Sequence, residues 1–130
     1  MPTTTDLAAE LRETIRGSVL TDGDPGYDAA RAVWNAMIDR RPAAIVRPVD
    51  TADVRRAVLA AAAHGLPVSV RGGGHNVAGH AVGEGALMLD LTGMRRVDVD
   101  PAARIAHVQG GATWGAVSYT HLTLPTILRV

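Results

Sequence analysis

PVSVRGGGHNVAGH, residues 67–80, is the stretch that decides the fold. Its opening residues alternate as a buried strand does, and three successive glycines, Gly72 to Gly74, follow almost at once. Glycine adopts positive φ angles and carries no Cβ, so the N–H groups of such a loop can converge on an anion. Arg71 adds a positive charge and Asn76 an amide. A loop of this kind at the carboxyl end of a strand is suited to a diphosphate.

The loop differs from both common phosphate-binding motifs. It lacks the Gly-Lys-Ser/Thr of a Walker A loop, and its glycine spacing departs from Gly-x-Gly-x-x-Gly. Asp90 is also poorly placed to be the ribose-binding acid of that second motif. From the residues alone, a glycine-rich surface turn carrying a solvated His75 stays open beside the phosphate loop.

The segment before the loop predicts a βαβ unit. Residues 43–46 form an apolar strand, Thr51 caps a helix that Gly65 ends, and residues 67–70 form a second strand parallel to the first. The apolar stripe of that helix consists of Val54, Ala57, Val58, Ala61 and Ala62.

Helices are expected upstream of this unit and strands downstream of it. Residues 5–16 predict one helix, and a second carries Ala30, Val33, Trp34 and Met37 on one face. Strands are expected at residues 86–90, 96–100 and 105–109, the last two forming a hairpin, before a helix near Trp114. We therefore expect an α/β (α+β) fold: N-terminal helices, a βαβ unit and a small, mainly antiparallel sheet.

Composition limits the classes of function. The 130 residues suffice for one domain, and a formal net charge of zero gives no electrostatic case for nucleic acid or an anionic membrane as partner. Without cysteine there are no disulfides, zinc-thiolate sites or thiol nucleophiles. No stretch approaches the roughly 20 apolar residues of a membrane helix. Because no signal peptide is recognisable, we expect a cytoplasmic location.

The remaining chemistry-bearing residues favour structural roles. His75 and His80, with His64 and His107 elsewhere, make a metal site conceivable, but no cysteine or local carboxylate pair supports one, and we assign no metal ligand. His64 is expected at a helix C-terminus and His107 on an outward-facing strand position. The acidic residues Asp90, Asp98 and Asp100 are expected on exposed strand faces, and Trp34 and Trp114 as core anchors.

The motif Arg-x-Gly-Gly-His at residues 71–75, between a Pro-Val-x-Val strand and an Ala-Gly, resembles the vanillyl-alcohol-oxidase/PCMH-type FAD-binding domain. More narrowly, it is similar to the berberine-bridge-enzyme-like FAD-linked oxidases. The resemblance runs from about residue 21 to residue 117. Further matching segments follow in the family order: residues 25–28 with Arg31, Trp34 and Asn35, then residues 41–46, 90–92 and 110–115.

The resemblance implies a role for each residue of the loop. His75 corresponds to the histidine that bonds covalently to the C8 methyl carbon of the flavin, and a neutral imidazole is a competent nucleophile near pH 7. Arg71 would support the loop, and His80 could contact the flavin, although a solvated position is favoured for it. The residues whose backbone groups would cradle the pyrophosphate are Gly72, Gly73, Gly74, Asn76, Val77, Ala78 and Gly79.

The resemblance also implies a division of the chain. Residues 1–37 would be an N-terminal helical segment, and residues 38–117 an incomplete PCMH-type FAD-binding domain. Residues 118–130 depart from the family pattern, and we expect them to be non-native sequence appended where the coding region breaks off. The substrate site and catalytic base lie downstream in this family, so no catalytic residue is expected within this fragment.

The implied function is that of a flavin-dependent oxidoreductase. The parent protein would transfer a hydride from a small-molecule substrate to FAD, and in the oxidase case pass the electrons to O₂. The fragment itself is expected to be inactive, and its oligomeric state is not predicted. A stand-alone nucleotide- or phosphate-binding module without catalysis is the alternative, followed by a metal-binding protein.

Overall fold

The computed structural model describes residues 3–75, 78–115 and 127–129. Its helices are α1 (Thr4–Thr14), α2 (Tyr27–Arg31) and α3 (Thr51–Ala63), with a 3₁₀ turn at Leu91–Gly93. Its strands are β1 (Ser18–Leu20), β2 (Ala44–Arg47), β3 (Val68–Arg71), β4 (Leu87–Asp90), β5 (Val97–Asp100), β6 (Ile105–Val108) and β7 (Ile127–Arg129). Trp114 and Gly115 are helical, as expected, and residues 116–126 lie outside the described residues.

The larger sheet has the strand order β1-β2-β4-β3. Strands β2 and β3 both run parallel to β4, so the predicted βαβ unit is present with β4 inserted between its two strands. We expected residues 86–90 in the antiparallel set. They belong instead to the parallel sheet, because every residue of β4 is buried, as befits a strand covered on both faces. Strand β1, which the sequence did not predict, pairs antiparallel with β2.

The smaller sheet has the order β5-β6-β7. Its β5–β6 pair is the predicted antiparallel hairpin, and β7 runs parallel to β6. The expected α/β (α+β) architecture is therefore confirmed.

Helices α1 and α3 cover one face of the larger sheet. Leu7, Leu11, Ala57 and Ala61 are fully buried there against the strands. The N-cap of α3 is Asp50 and not Thr51, since the Asp50 carboxylate accepts a hydrogen bond from the N–H of Asp53.

The buried face of α3 is rotated from the predicted stripe. Asp53 is fully buried, whereas Val58 is 42% exposed and Ala62 is exposed. The Asp53 carboxylate accepts hydrogen bonds from the backbone N–H groups of Arg16, Gly17 and Val49, at 2.9, 2.9 and 3.1 Å. The Asp53 side chain therefore faces the interior of the protein, where it is the hydrogen-bond acceptor for backbone N–H groups of two neighbouring turns.

The second helix is shorter than expected, and the chain bends away after Arg31. In a continuing helix the N–H of Trp34 would donate to the carbonyl of Ala30. Instead Trp34 donates to the carbonyl of Gly74 at 3.0 Å, and the Ala30 carbonyl accepts from Nη1 of Arg71 at 2.7 Å. The glycine loop therefore interrupts the helix. Of the predicted apolar face, Ala30 is buried and Val33 packs against the core, whereas Trp34 and Met37 are 67% and 90% exposed.

On the opposite face of the sheet, Tyr27 of α2 is buried and its hydroxyl donates to the carbonyl of Pro42 at 2.6 Å. We expect Tyr27→Phe to lower the free energy of unfolding by about 1–2 kcal/mol, because the Pro42 carbonyl then loses its donor inside the protein. Urea unfolding of the two proteins measures this difference. A loss below about 0.3 kcal/mol would contradict the importance of that bond.

Candidate functional site

The glycine loop leaves β3 at the carboxyl edge of the three parallel strands. Arg47, Arg71 and Asp90 are the last residues of β2, β3 and β4, so they lie at this same edge. Open α/β sheets bind ligands outside the carboxyl ends of their strands. The loop begins where such a sheet holds its ligands.

Two of the loop glycines have backbone conformations that L side chains rarely adopt. Gly74 has φ +72° and Gly79 has φ +73°, and both are buried. Gly72 lies against a second glycine-rich segment, because a Cβ built on it would be 2.9 Å from the carbonyl oxygen of Gly110. Gly73 and Ala78 are exposed. Asn76 and Val77 lie outside the described residues.

Arg71 closes the inner side of the loop. While its Nη1 binds the Ala30 carbonyl, its Nε is buried without a hydrogen-bond partner among the described residues. A Cβ on Gly74 would be 3.2 Å from that Nε. An unused buried donor is costly in a protein interior, and it lies here directly beneath the backbone of the predicted anion site.

His75 projects from the loop with an exposed side chain. Its ring lies against Gly73, since a Cβ on Gly73 would be 2.7 Å from the ring carbon Cδ2. The indole of Trp34 stacks on the ring, with centroids 6.4 Å apart and planes inclined by 17°. Trp34 is 67% exposed, so its predicted role as a core anchor is wrong.

The far end of the loop is held by residues that sequence reasoning missed. The Arg40 guanidinium donates to the carbonyls of Gly79 and Val82 at 2.9 and 3.1 Å, and to that of Ala78 at 3.4 Å. Ile38 occupies the space that a Cβ on Gly79 would need, at 2.7 Å. Nothing in the local pattern of residues 38–40 signals these contacts, because their partners lie about forty residues away.

Asp90 was expected on an exposed strand face, but this prediction is wrong because its side chain is buried. It is 1% exposed and accepts hydrogen bonds from the hydroxyl of Thr92 at 2.6 Å and from Nε of Arg47 at 3.1 Å. Burial alone would raise the pKa of Asp90, but the bonds from Thr92 and Arg47 outweigh it and the pKa is lowered. Asp90 therefore stays ionised and ties β4 to β2 at the carboxyl edge. Asp98 and Asp100 are exposed, as predicted.

The other predicted residues lie away from the loop or on its surface. His64 is the C-cap of α3, with Nε2 3.1 Å from a carboxylate oxygen of Glu10, and His107 is exposed on β6. His80 is exposed. Trp114 is 73% exposed, which makes its prediction as a core anchor wrong as well.

The described residues offer neither a metal-ion site nor a membrane-spanning helix. Over the ranges that the structure describes, no three His, Cys, Asp or Glu side chains are grouped so that they could hold a metal ion. None of the helices in those ranges is long and apolar enough to cross a membrane.

Comparison with known proteins identifies the family. Residues 42–121 match the family model described as "FAD binding domain". The chain is 37% identical over 102 residues to (R)-6-hydroxynicotine oxidase of Paenarthrobacter nicotinovorans, covering 78% of this chain and 22% of that protein. It is 40% identical over 101 residues to glucooligosaccharide oxidase of Sarocladium strictum, covering 76% of this chain and 19% of that protein.

Solved structures give the same result. The crystal structure of 6-hydroxy-D-nicotine oxidase from Arthrobacter nicotinovorans superposes with a TM-score of 0.79 and 35% identity, covering 83% of this chain and 24% of that one. Wild-type BBE-like 1 of Physcomitrella patens gives a TM-score of 0.70 and 29% identity, covering 75% of this chain and 21% of that one. These likenesses confirm the predicted fold, the first part of a PCMH-type FAD-binding domain.

The chain spans about a fifth to a quarter of the length of these relatives. The matched residues include the whole glycine loop, from Arg71 to His80, and all of β2, α3, β3 and β4. The chain therefore belongs to the FAD binding domain family, and its relatives include proteins named as oxidases and as FAD-linked oxidoreductases.

Proposed function

We propose that this chain supplies the first part of the FAD site in a flavin-dependent oxidoreductase. The loop of residues 71–80 would hold the FAD pyrophosphate, and His75 would be the point of covalent attachment. The proposal is supported by the family match over residues 42–121 and by relatives that are named as oxidases or as FAD-linked oxidoreductases.

The observation that carries the proposal is that the backbone of Gly74 lies close to the Arg71 guanidinium. Gly74 is buried at positive φ, and a Cβ added to it would be 3.2 Å from Nε of Arg71, which has no hydrogen-bond partner among the described residues. Positive φ turns successive N–H groups toward one side of a loop, which makes an anion-binding concavity. The Arg71 cation adds charge of the right sign, and residues 71–83 contain no acid to oppose it. The residues present therefore fit a diphosphate.

His75 would serve as the nucleophile for attachment. Bound FAD would supply the C8 methyl carbon, and His75 would supply the imidazole nitrogen that bonds to it. The imidazole would give up its N–H proton and the methyl group one C–H hydrogen, with both protons and the C–H electron pair taken up by the flavin ring and dioxygen as the final oxidant. The exposed ring of His75, beside the pyrophosphate loop, is accessible for this bond.

Bound FAD supplies the hydride acceptor for oxidation of a small-molecule substrate. The chain's own residues would bind and orient that cofactor, and we assign no substrate base among them. We propose the boundaries of residues 1–37, 38–117 and 118–130 for its segments, with no turnover by the fragment alone. A cytoplasmic location stays a prediction.

The test of the loop compares Gly74→Ala with Gly85→Ala. Both glycines have positive φ, at +72° and +67°, so both variants carry a similar backbone strain of about 1–2 kcal/mol. Only the Cβ at position 74 meets Arg71, whereas nothing lies within 4 Å of the Cβ at position 85.

We expect Gly74→Ala to weaken FAD binding by the full-length protein at least about tenfold, because the loop must relax away from the binding conformation. Gly85→Ala should bind within about twofold of the wild type. Flavin fluorescence titration of the apoproteins measures both. Unchanged affinity in Gly74→Ala would mean that the pyrophosphate binds elsewhere.

A further inference from the structure

The environment of the His75 imidazole raises the question of what orients it. The side chain is exposed, so no core packing restricts its rotamers. Two groups nonetheless lie next to its ring: the backbone of Gly73 at one edge and the indole of Trp34 across one face. Trp34 is the only aromatic side chain that stacks on His75 within the described ranges.

The indole of Trp34 is placed there by the backbone. The N–H of Trp34 donates to the carbonyl of Gly74, the residue immediately before His75, at 3.0 Å. The bond from Arg71 to the Ala30 carbonyl holds the preceding turn against the same loop at 2.7 Å. These two bonds end α2 and fix the position of Trp34 relative to the loop.

The exposure of Trp34 argues against a packing role. A tryptophan normally buries most of its large apolar surface, yet this one leaves 67% of its side chain accessible. Its ring forms a near-parallel pair with that of His75, with centroids 6.4 Å apart, within the range where aromatic pairs attract each other.

We propose that Trp34 is a positioning residue for flavin attachment, which holds the His75 ring in one orientation through the Trp34–His75 stack. A nucleophile restricted to one orientation reacts faster than one that samples several rotamers, because part of the entropy cost is already met. Trp34 itself transfers no proton and forms no bond. This inference rests on the proposed function, since it concerns the rate at which His75 bonds to the flavin.

The experiment follows the covalent bond separately from FAD binding. FAD is added to full-length apoprotein, total bound flavin is measured by absorbance, and the covalent fraction is followed over time by intact mass after denaturation. Trp34→Leu removes the flat aromatic face, Trp34→Phe keeps it, and Met37→Ala alters a 90% exposed residue of the same segment as a control.

We expect Trp34→Leu to bind FAD but to form the covalent bond about tenfold more slowly, and Trp34→Phe to stay within about threefold of the wild type. Met37→Ala should react at the wild-type rate. A wild-type rate in Trp34→Leu would overturn this inference alone. If the wild type forms no covalent flavin, the proposed attachment fails and this inference falls with it.

A second measurement needs no flavin. In apoprotein with labelled histidine, the ring-proton chemical shifts of His75 should move in Trp34→Leu because the ring current of the indole is lost. The shifts of His107, exposed on β6, should not change. Unchanged His75 shifts would show that the rings do not stack and would overturn the inference even if the variant attached flavin slowly.

Discussion

Replacing His75 by alanine is expected to remove all covalently bound flavin from the full-length protein. The ring is the only nucleophilic side chain on residues 71–75, and alanine offers no atom that can form the bond. The variant should still bind FAD reversibly, because the proposed cradle consists of backbone groups and Arg71. Intact mass after denaturation, with visible absorbance before it, measures both properties.

Two further variants make this comparison specific. His107→Ala changes an exposed histidine on β6 and should keep the full covalent mass increase. His80→Ala tests the other histidine of the loop, and we expect it also to keep the bond. If His80→Ala loses the covalent bond and His75→Ala keeps it, the flavin is attached to His80 and not to His75.

Replacing Asp53 by alanine is expected to have the largest effect on stability. The carboxylate is fully buried and accepts three backbone hydrogen bonds, from Arg16, Gly17 and Val49. Its removal leaves those donors without their acceptor, and we expect a loss of about 3 kcal/mol in the free energy of unfolding. That is a large fraction of the roughly 5–15 kcal/mol by which ordinary domains are stable.

Urea unfolding at neutral pH measures this loss, and Asp98→Ala is the matched control. Asp98 pairs with Arg96 at 2.7 Å on the surface, so its removal should cost less than about 1 kcal/mol. Equal losses in the two variants would contradict the anchoring role of Asp53.

Because the Asp53 carboxyl group titrates, the stability that these hydrogen bonds provide depends on pH. Burial alone would raise the pKa of Asp53, but the N–H groups of Arg16, Val49 and Gly17 together outweigh burial, so the pKa lies below its ordinary value of 3.8. A carboxyl whose pKa is lower in the folded state stabilises the fold above its unfolded pKa. That stabilisation is lost as the pH falls through the folded value. Stability should therefore decline below about pH 4, and less steeply in Asp53→Asn.

The parts of the fold that could be predicted are those encoded by local pattern. The helix closed by Gly65, the strand that ends at Arg71 and the β5–β6 hairpin each carry their own caps, alternation or turn residues. The composition and position of the glycine loop also predict an anion site, and that site stays a proposal. Local chemistry was sufficient wherever the partners of a residue lay within a few positions of it.

The parts that were missed depend on distant contacts. The helix expected through Met37 ends early because Arg71 and Gly74, some forty residues away, take the hydrogen bonds that would have continued it. Asp90 resembles a surface acid until β4 is inserted between β2 and β3, where Arg47 can reach it. The residues around Arg40 in the sequence give no indication that its guanidinium binds the carbonyls of Gly79 and Val82.

The same contacts change how the N-terminal segment should be understood. Residues 30–40 precede the matched family region, yet they hold both ends of the glycine loop. Trp34 and Arg71 act at the entrance of the loop, and Ile38 and Arg40 at its exit. A version of the protein that lacks this segment would therefore be a poor one in which to study the loop.

The most direct measurement is a crystal structure of the full-length protein with FAD. We predict that the diphosphate oxygens lie within about 3 Å of the backbone nitrogens of Gly72 to Gly74. We also predict continuous electron density from the His75 ring to the flavin C8 methyl carbon. A diphosphate bound away from this loop, with His75 remote from the flavin, would contradict the account.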